Sequence, residues 1–173
     1  KSPEWYKKQN IDLILNNSVK SINCFNKVIH LSDKRQYRND HLIIATGSIL
    51  NKIQLSCNES NIHYLRTMED SKNIRKDLIT SKNIVVIGAG YIGLEIASSA
   101  IKKNVKVTVI EMEDRVMNRS ISQDTSDFLK KKHENNGVDF LLNTAIIDIT
   151  DYKQQQQITC TNGQEIYADS VII

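Results

Sequence analysis

Apolar and polar positions change rhythm along this chain, and each change marks an element. Residues 19–24 and 27–31 alternate apolar and polar side chains, the period of half-buried strands, and residues 11–15 are apolar enough to read as a further strand. Asn16-Asn17 and Asn26 supply turn chemistry between them. Leu42-Ile43-Ile44-Ala45 is a continuous apolar run, suited to a strand buried on both faces, and it ends at Thr46-Gly47-Ser48, where the chain must turn sharply. Residues 51–61 are polar and irregular, hence a loop. Beyond them the period lengthens. Thr67 with Asp70 makes an acidic variant of the capping box for a helix running to about Leu78, with Ile74 and Leu78 as an i, i+4 apolar pair. A strand over 84–87, a helix over 92–103 and a strand over 105–110 follow, then a helix over 122–135 that stops at Asn136-Gly137 and a strand over 138–142. The tail returns to strand period at 145–150, 157–161 and 164–168. Gln154 to Gln157 is read as a solvated tip, Asn162-Gly163 as a two-residue hairpin turn, and Val171-Ile172-Ile173 as a last strand.

Strand–helix–strand order with a right-handed crossover predicts a parallel sheet, and the later period-two runs predict an antiparallel meander. The expected fold class is α/β, a Rossmann-like domain with both sheets, preceded by a β-rich segment. The first crossover contains Val85-Val86-Ile87-Gly88-Ala89-Gly90-Tyr91-Ile92-Gly93-Leu94-Glu95, and the second strand closes on Glu111, 23 residues after Gly88. Strand, G-x-G-x-x-G, helix, strand and acid in this order are the signature of a dinucleotide-binding βαβ unit. Gly88 permits the tight turn, Gly90 lets the backbone approach a pyrophosphate, and Gly93 lets the helix lie close on the sheet. The pyrophosphate then meets free N–H groups at the positive end of the helix. Glu111 can accept hydrogen bonds from the adenosine ribose hydroxyls and repel a 2′-phosphate, which favours NADH over NADPH. Arg115, four residues on, could instead hold a 2′-phosphate.

Composition narrows the class further. The 173 residues are 40% hydrophobic and 25% charged, ordinary for a globular protein of one domain or two small ones. A net charge of +3, dispersed along the chain, does not support a nucleic-acid partner, and Lys130-Lys131-Lys132 reads as the solvated face of a helix. No apolar run approaches the roughly 20 residues of a membrane span. Cys24, Cys57 and Cys160 form neither a redox pair nor a metal cluster, the four histidines show no ligand spacing, and no metal site is expected. Such cysteine usage suits a reducing compartment, hence an expected cytoplasmic location. The start at Lys1 and the uncapped apolar end make the expectation an internal piece of a longer protein.

The chain resembles the FAD-dependent pyridine nucleotide reductases that serve small iron–sulfur proteins, the ferredoxin, putidaredoxin and rubredoxin reductases. Five segments carry the resemblance: Ser2-Pro3-Glu4-Trp5-Tyr6, Leu42 through Ser48, Tyr64-Leu65-Arg66-Thr67-Met68-Glu69-Asp70, the glycine segment through Glu95, and Arg115-Val116-Met117-Asn118-Arg119-Ser120. The last, followed by Phe128 and by His133 through Val138, is the most particular to this branch, and it favours a structural role for Arg115. One departure is Asn39-Asp40, where such proteins usually carry Tyr-Asp. The resemblance implies residues 1–65 as the C-terminal part of a first FAD-binding segment and 66–173 as an NAD(H)-binding domain. It places the main FAD glycine motif, the later FAD-contacting segment and an interface domain outside this stretch.

The activity it implies is hydride transfer from NADH to FAD and onward electron transfer to a ferredoxin or rubredoxin, with cofactors carrying the chemistry and no catalytic side chain required. For NAD it implies the loop Gly88, Ala89, Gly90, Tyr91, Ile92 and Gly93, with Glu95 facing the nicotinamide carboxamide, Glu111 at the ribose and Arg119 nearby. Tyr91 reads either as a gate over the nicotinamide or as an aromatic packed at the helix start. For FAD it implies Val19 at the adenine through its backbone, the turn Ala45-Thr46-Gly47, and Arg66, whose planar fork suits a pyrophosphate or carboxylate. Two other readings share the glycine segment: an NADH oxidase or disulfide reductase, against which the Arg115–Arg119 segment argues, and a signalling flavoprotein like the apoptosis-inducing factors.

Overall fold

The alternating segments near the start do pair. β1 (Val19–Asn23), β2 (Val28–Leu31) and β3 (Gln36–Arg38) form an antiparallel sheet in the order β1-β2-β3, after a short helix α1 (Pro3–Lys8). This is a computed structural model, and it describes residues 1–53, 57 and 59–173; part of the expected 51–61 loop therefore lies outside the described residues. Two expected strands are corrected here. Residues 11–15 and 42–45 are irregular and exposed, with Ile43 at 88% and Ile44 at 67% exposure. The three-stranded sheet pairs with neither run among the described residues. Without a neighbour to satisfy its N–H and C=O groups, an apolar run gains nothing by extending.

The chain divides into two compact units between Ser48 and Ile49. That is upstream of the 65/66 division expected, because β4 (Ile62–His63) pairs with β11 (Ser170–Ile172) in the sheet of the second unit. The second unit has three layers. Its middle is a parallel sheet in the order β4-β11-β5-β6-β7, where β5 is Asn83–Ile87, β6 Lys106–Ile110 and β7 Val138–Leu141. Alternate residues of these strands face opposite cores. Ile84, Val86, Val107 and Val109 pack against Ile74, Leu78, Leu94 and Ala97 of the helical layer. Val85, Ile110 and Val171 pack against Ile149, Ile158, Cys160 and Ala168 of an antiparallel sheet. Burial on both faces is why these strands read as apolar runs.

The helices are α2 (Met68–Thr80), α3 (Tyr91–Ile101) and α4 (Gln123–Glu134). α2 opens on the expected capping box: Asp70 N–H donates to Thr67 Oγ1 at 3.2 Å and Thr67 N–H to Asp70 Oδ2 at 2.6 Å. The meander is β8 (Ile146–Tyr152), β9 (Gln155–Cys160) and β10 (Glu165–Ala168), closed by the Asn162-Gly163 turn with Gly163 at φ 81°. The glutamine run is corrected. Only Lys153 and Gln154 turn, Lys153 at φ 57°, and Gln155, Gln156 and Gln157 pair with Tyr152, Asp151 and Thr150. Gln156 is buried at 3% exposure, its Nε2 donating to Asp151 Oδ1 at 3.0 Å. Strand pairing recruits the run because the backbone groups of all three residues are met by β8, although the buried Gln156 Oε1 has no partner among the described residues. Among the described residues no helix is long and apolar enough to cross a membrane.

Candidate functional site

Ligands of open α/β sheets bind beyond the carboxyl ends of the strands, and here the register decides what stands there. β5 and β6 pair in parallel with Ile87 opposite Ile110, so the next residues, Gly88 and Glu111, emerge side by side. Gly88 N–H donates to Ile110 O at 2.8 Å, and Ala89 N–H donates to Glu111 Oε2 at 2.7 Å. Glu111 Oε1 accepts the Glu113 N–H at 3.0 Å. Each carboxylate oxygen thus holds one backbone donor and keeps a lone pair for another.

The glycines of the motif differ in what they require. Gly88 sits at φ +99°, a conformation side chains disfavour. A Cβ on Gly93 would stand 2.0 Å from the Gly88 carbonyl oxygen, so this glycine sets the close approach of α3 to the turn. Gly90 needs neither exemption. Its φ is −79°, open to any residue, and a Cβ there would meet nothing within 4 Å. Nothing in the protein's own packing demands glycine at this position. An open cradle over a helix N-terminus, kept clear of a side chain, fits a pyrophosphate.

A cleft of about 290 Å³ adjoins this turn, lined by Ala89, Gly90, Glu111, Glu113, Asn118 and Arg119 among others. Its far wall, the 112–120 loop, is tied down on several sides. Met117, in the left-handed region at φ 51°, donates its N–H to Ala89 O at 2.9 Å, and Ser126 Oγ donates to Val116 O at 2.6 Å. Arg115 donates to Ile121 O at 2.9 Å and Asn118 O at 2.8 Å. Both of those N–H groups are therefore committed to the loop, the structural use rather than the phosphate-binding one. Arg119 lies 3.8 Å from Glu113 Oε1. Glu113 was not singled out from the sequence, and Asn118 entered only as part of the 115–120 segment; an acid two residues past the strand-end acid was the available signal.

Other expected residues lie elsewhere. Ile92 and Glu95 line a separate cleft of about 310 Å³ with Leu65, Ile74 and Arg75, between α2 and α3. Tyr91 is 62% exposed. In the first unit Val19 begins β1 opposite Leu31, and Ala45, Thr46 and Gly47 are exposed, with Gly47 at φ 76° as a sharp turn requires. Arg66, in the second unit, is exposed and its backbone N–H donates to Asp70 Oδ2 at 3.0 Å.

A family model described as pyridine nucleotide-disulphide oxidoreductase matches residues 5–173. The chain belongs to this family. Among curated members, a rubredoxin-NAD(+) reductase of Pseudomonas putida is 36% identical over 175 residues, covering 100% of this chain and 46% of that protein. A putidaredoxin reductase of Pseudomonas putida is 36% identical over 179 residues, covering 99% of this chain and 42% of its own length. Among solved structures of the family's fold, a ferredoxin reductase for the CYP199A2 system of Rhodopseudomonas palustris superposes with a TM-score of 0.84 at 27% identity, over 99% of this chain and 43% of that one. A covalent putidaredoxin reductase–putidaredoxin complex gives 0.82 at 35% identity, over the same shares. The chain spans less than half the length of these relatives.

Proposed function

We propose that the protein is an NADH-dependent flavoprotein reductase that passes electrons from NADH through FAD to a small iron–sulfur protein of the ferredoxin or rubredoxin type. The observation that carries this reading is Gly90, a glycine that the fold does not need, at a helix N-terminus beside a strand-end carboxylate. Family membership and the acceptors named for the relatives support the acceptor class. In this reading the Gly88–Gly93 loop carries the NADH pyrophosphate, Glu111 takes the ribose hydroxyls, Arg119 borders the same cleft, and Glu95 meets the nicotinamide carboxamide. For FAD, Val19 meets the adenine through its backbone, the exposed turn Ala45, Thr46 and Gly47 passes near the cofactor, and the exposed Arg66 offers a guanidinium that suits its pyrophosphate. FAD, when bound, supplies the conversion of one two-electron donor into single electrons. What the chain's own residues do is bind, orient and select the nucleotide. The cytoplasm is the location this reading assigns, on cysteine usage that suits a reducing compartment.

The test is anaerobic rapid mixing of the intact protein with NADH, then with oxidised rubredoxin or ferredoxin. NADH should bleach the oxidised flavin band and the acceptor should restore it. A flavin that NADH leaves oxidised would refute the nucleotide assignment. A reduced flavin that neither acceptor reoxidises would refute the acceptor class.

A further inference from the structure

The cleft beside Gly90 holds two carboxylates, and sequence reasoning assigns a task to one of them. Glu113 lines the cleft with Glu111, its Oε2 accepting from Asn118 Nδ2 at 3.1 Å and its Oε1 facing Arg119 Nη2 at 3.8 Å. The fold does not need the Glu113–Arg119 pair. Its side chains are 37% and 85% exposed, and pairs so placed contribute little to stability. The loop is held instead by the Arg115 guanidinium, the Met117 N–H and the Ser126 hydroxyl. Asn118 keeps the Glu113 carboxylate turned toward Arg119, and Arg119 is the arginine that lines this cleft, while Arg115 donates from both Nη atoms to loop carbonyls.

We propose that Glu113 is a second specificity-determining residue. It pairs the cation that would otherwise hold a 2′-phosphate and adds its own charge to that of Glu111, so a 2′-phosphorylated dinucleotide is rejected even when Glu111 is neutralised. This rests on the reading that the adenosine ribose of NADH lies at Glu111. A 2′-phosphate brings a charge of roughly −1.5 to −2 near pH 7. With Glu111 neutral it still meets Glu113 and an arginine whose charge is already opposed. With both neutral, Arg119 is released and can take the phosphate through its planar fork.

The experiment measures dissociation constants for NADH and NADPH by anaerobic fluorescence titration of the intact protein with its bound flavin reduced beforehand, so that no hydride is transferred. The series is wild type, Glu111→Gln, Glu113→Gln, the double variant, and the double variant with Arg119→Ala. Each single substitution should move the NADPH-to-NADH affinity ratio toward NADPH by less than about tenfold, and the double by more than about a hundredfold, beyond the product of the singles. Arg119→Ala in the double background should erase most of that gain, which a merely structural role for Glu113 would not produce. A double variant no better for NADPH than Glu111→Gln alone, or a gain that survives Arg119→Ala, overturns the proposal. Should the double variant fail to fold, Glu113→Lys with Glu111 intact must raise NADPH affinity by at least about tenfold, and an unchanged value overturns the proposal equally. The underlying reading fails in a different way: Glu111→Gln and Gly90→Ala would then both leave NADH affinity as in wild type.

Discussion

Gly90 and Gly93 sit three residues apart in one motif, and the structure predicts opposite consequences for replacing them by alanine. At Gly93 the new methyl would stand 2.0 Å from the Gly88 carbonyl oxygen and 3.3 Å from Val86 Cγ1. The first contact is with backbone in a turn held by Gly88 N–H to Ile110 O, so no flexible side chain can give way. Helix α3 must retreat from the sheet. Overpacking of this kind costs about 1–3 kcal/mol and occasionally more, and a contact this short belongs at the upper end. Alanine recovers about 1 kcal/mol of helix propensity. The net loss is on the order of 2 kcal/mol, or roughly 4–12 °C in Tm for a unit of this size. At Gly90 the methyl points into open space at a backbone angle any residue adopts. Alanine caps a helix less well than glycine by up to about 1 kcal/mol, and reduced freedom of the unfolded chain returns about 0.4–1 kcal/mol. Stability should stay within about 0.5 kcal/mol. NADH affinity should fall at least about tenfold, since the methyl occupies the approach of the pyrophosphate. Thermal unfolding by circular dichroism and NADH titration on both variants decide the matter. A Gly90→Ala protein that binds NADH as wild type, or that melts as early as Gly93→Ala, would refute the reasoning.

Two further outcomes concern stability. Burial, with a smaller contribution from the Lys132 charge, pushes the His133 imidazole below its ordinary value, and its ring packs edge-on against Phe140. The unfolded chain then takes up a proton that the folded one resists, so this stability is full above about pH 6.5 and is lost as pH falls. His133→Gln should flatten the drop in urea midpoint between about pH 7.5 and about pH 5.5; an unchanged slope counts against the assignment. Burial works against the charge of Asp169, yet hydrogen bonds from Gln155 Nε2, Asn83 N–H and Lys82 N–H prevail and hold its carboxyl below the usual range. Asp169→Ala, which removes the carboxylate that bridges β5 and β9, should cost about 1.5–3 kcal/mol near neutral pH and progressively less as pH falls below about 4. A variant that unfolds at the wild-type denaturant midpoint would show the network to be inert.

Local chemistry was legible wherever it was sufficient to decide the structure. The Thr67–Asp70 capping box, the Asn162-Gly163 turn and the G-x-G-x-x-G helix start all form where the residues placed them, because each is settled within a few residues. The parallel sheet and the antiparallel meander after it were legible too, since the apolar stretches 84–87 and 105–110 flank a helical period and are followed by period-two runs. Pairing was not. Residues 42–45 carry every mark of a buried strand and remain irregular and exposed, while Gln155 and Gln156, with none, extend a strand. A strand exists only with a partner, and the partner is a property of the whole fold. The site divides along the same line. Glycine spacing and the distant acid pointed to a dinucleotide turn from the sequence alone. Which glycine the fold needs, which arginine is already spent on carbonyls, and that Glu113 shares the cleft with Glu111 depend on distances between segments. Those distances exist only once the parallel register has set Gly88 beside Glu111 and Met117 has bound the loop to Ala89.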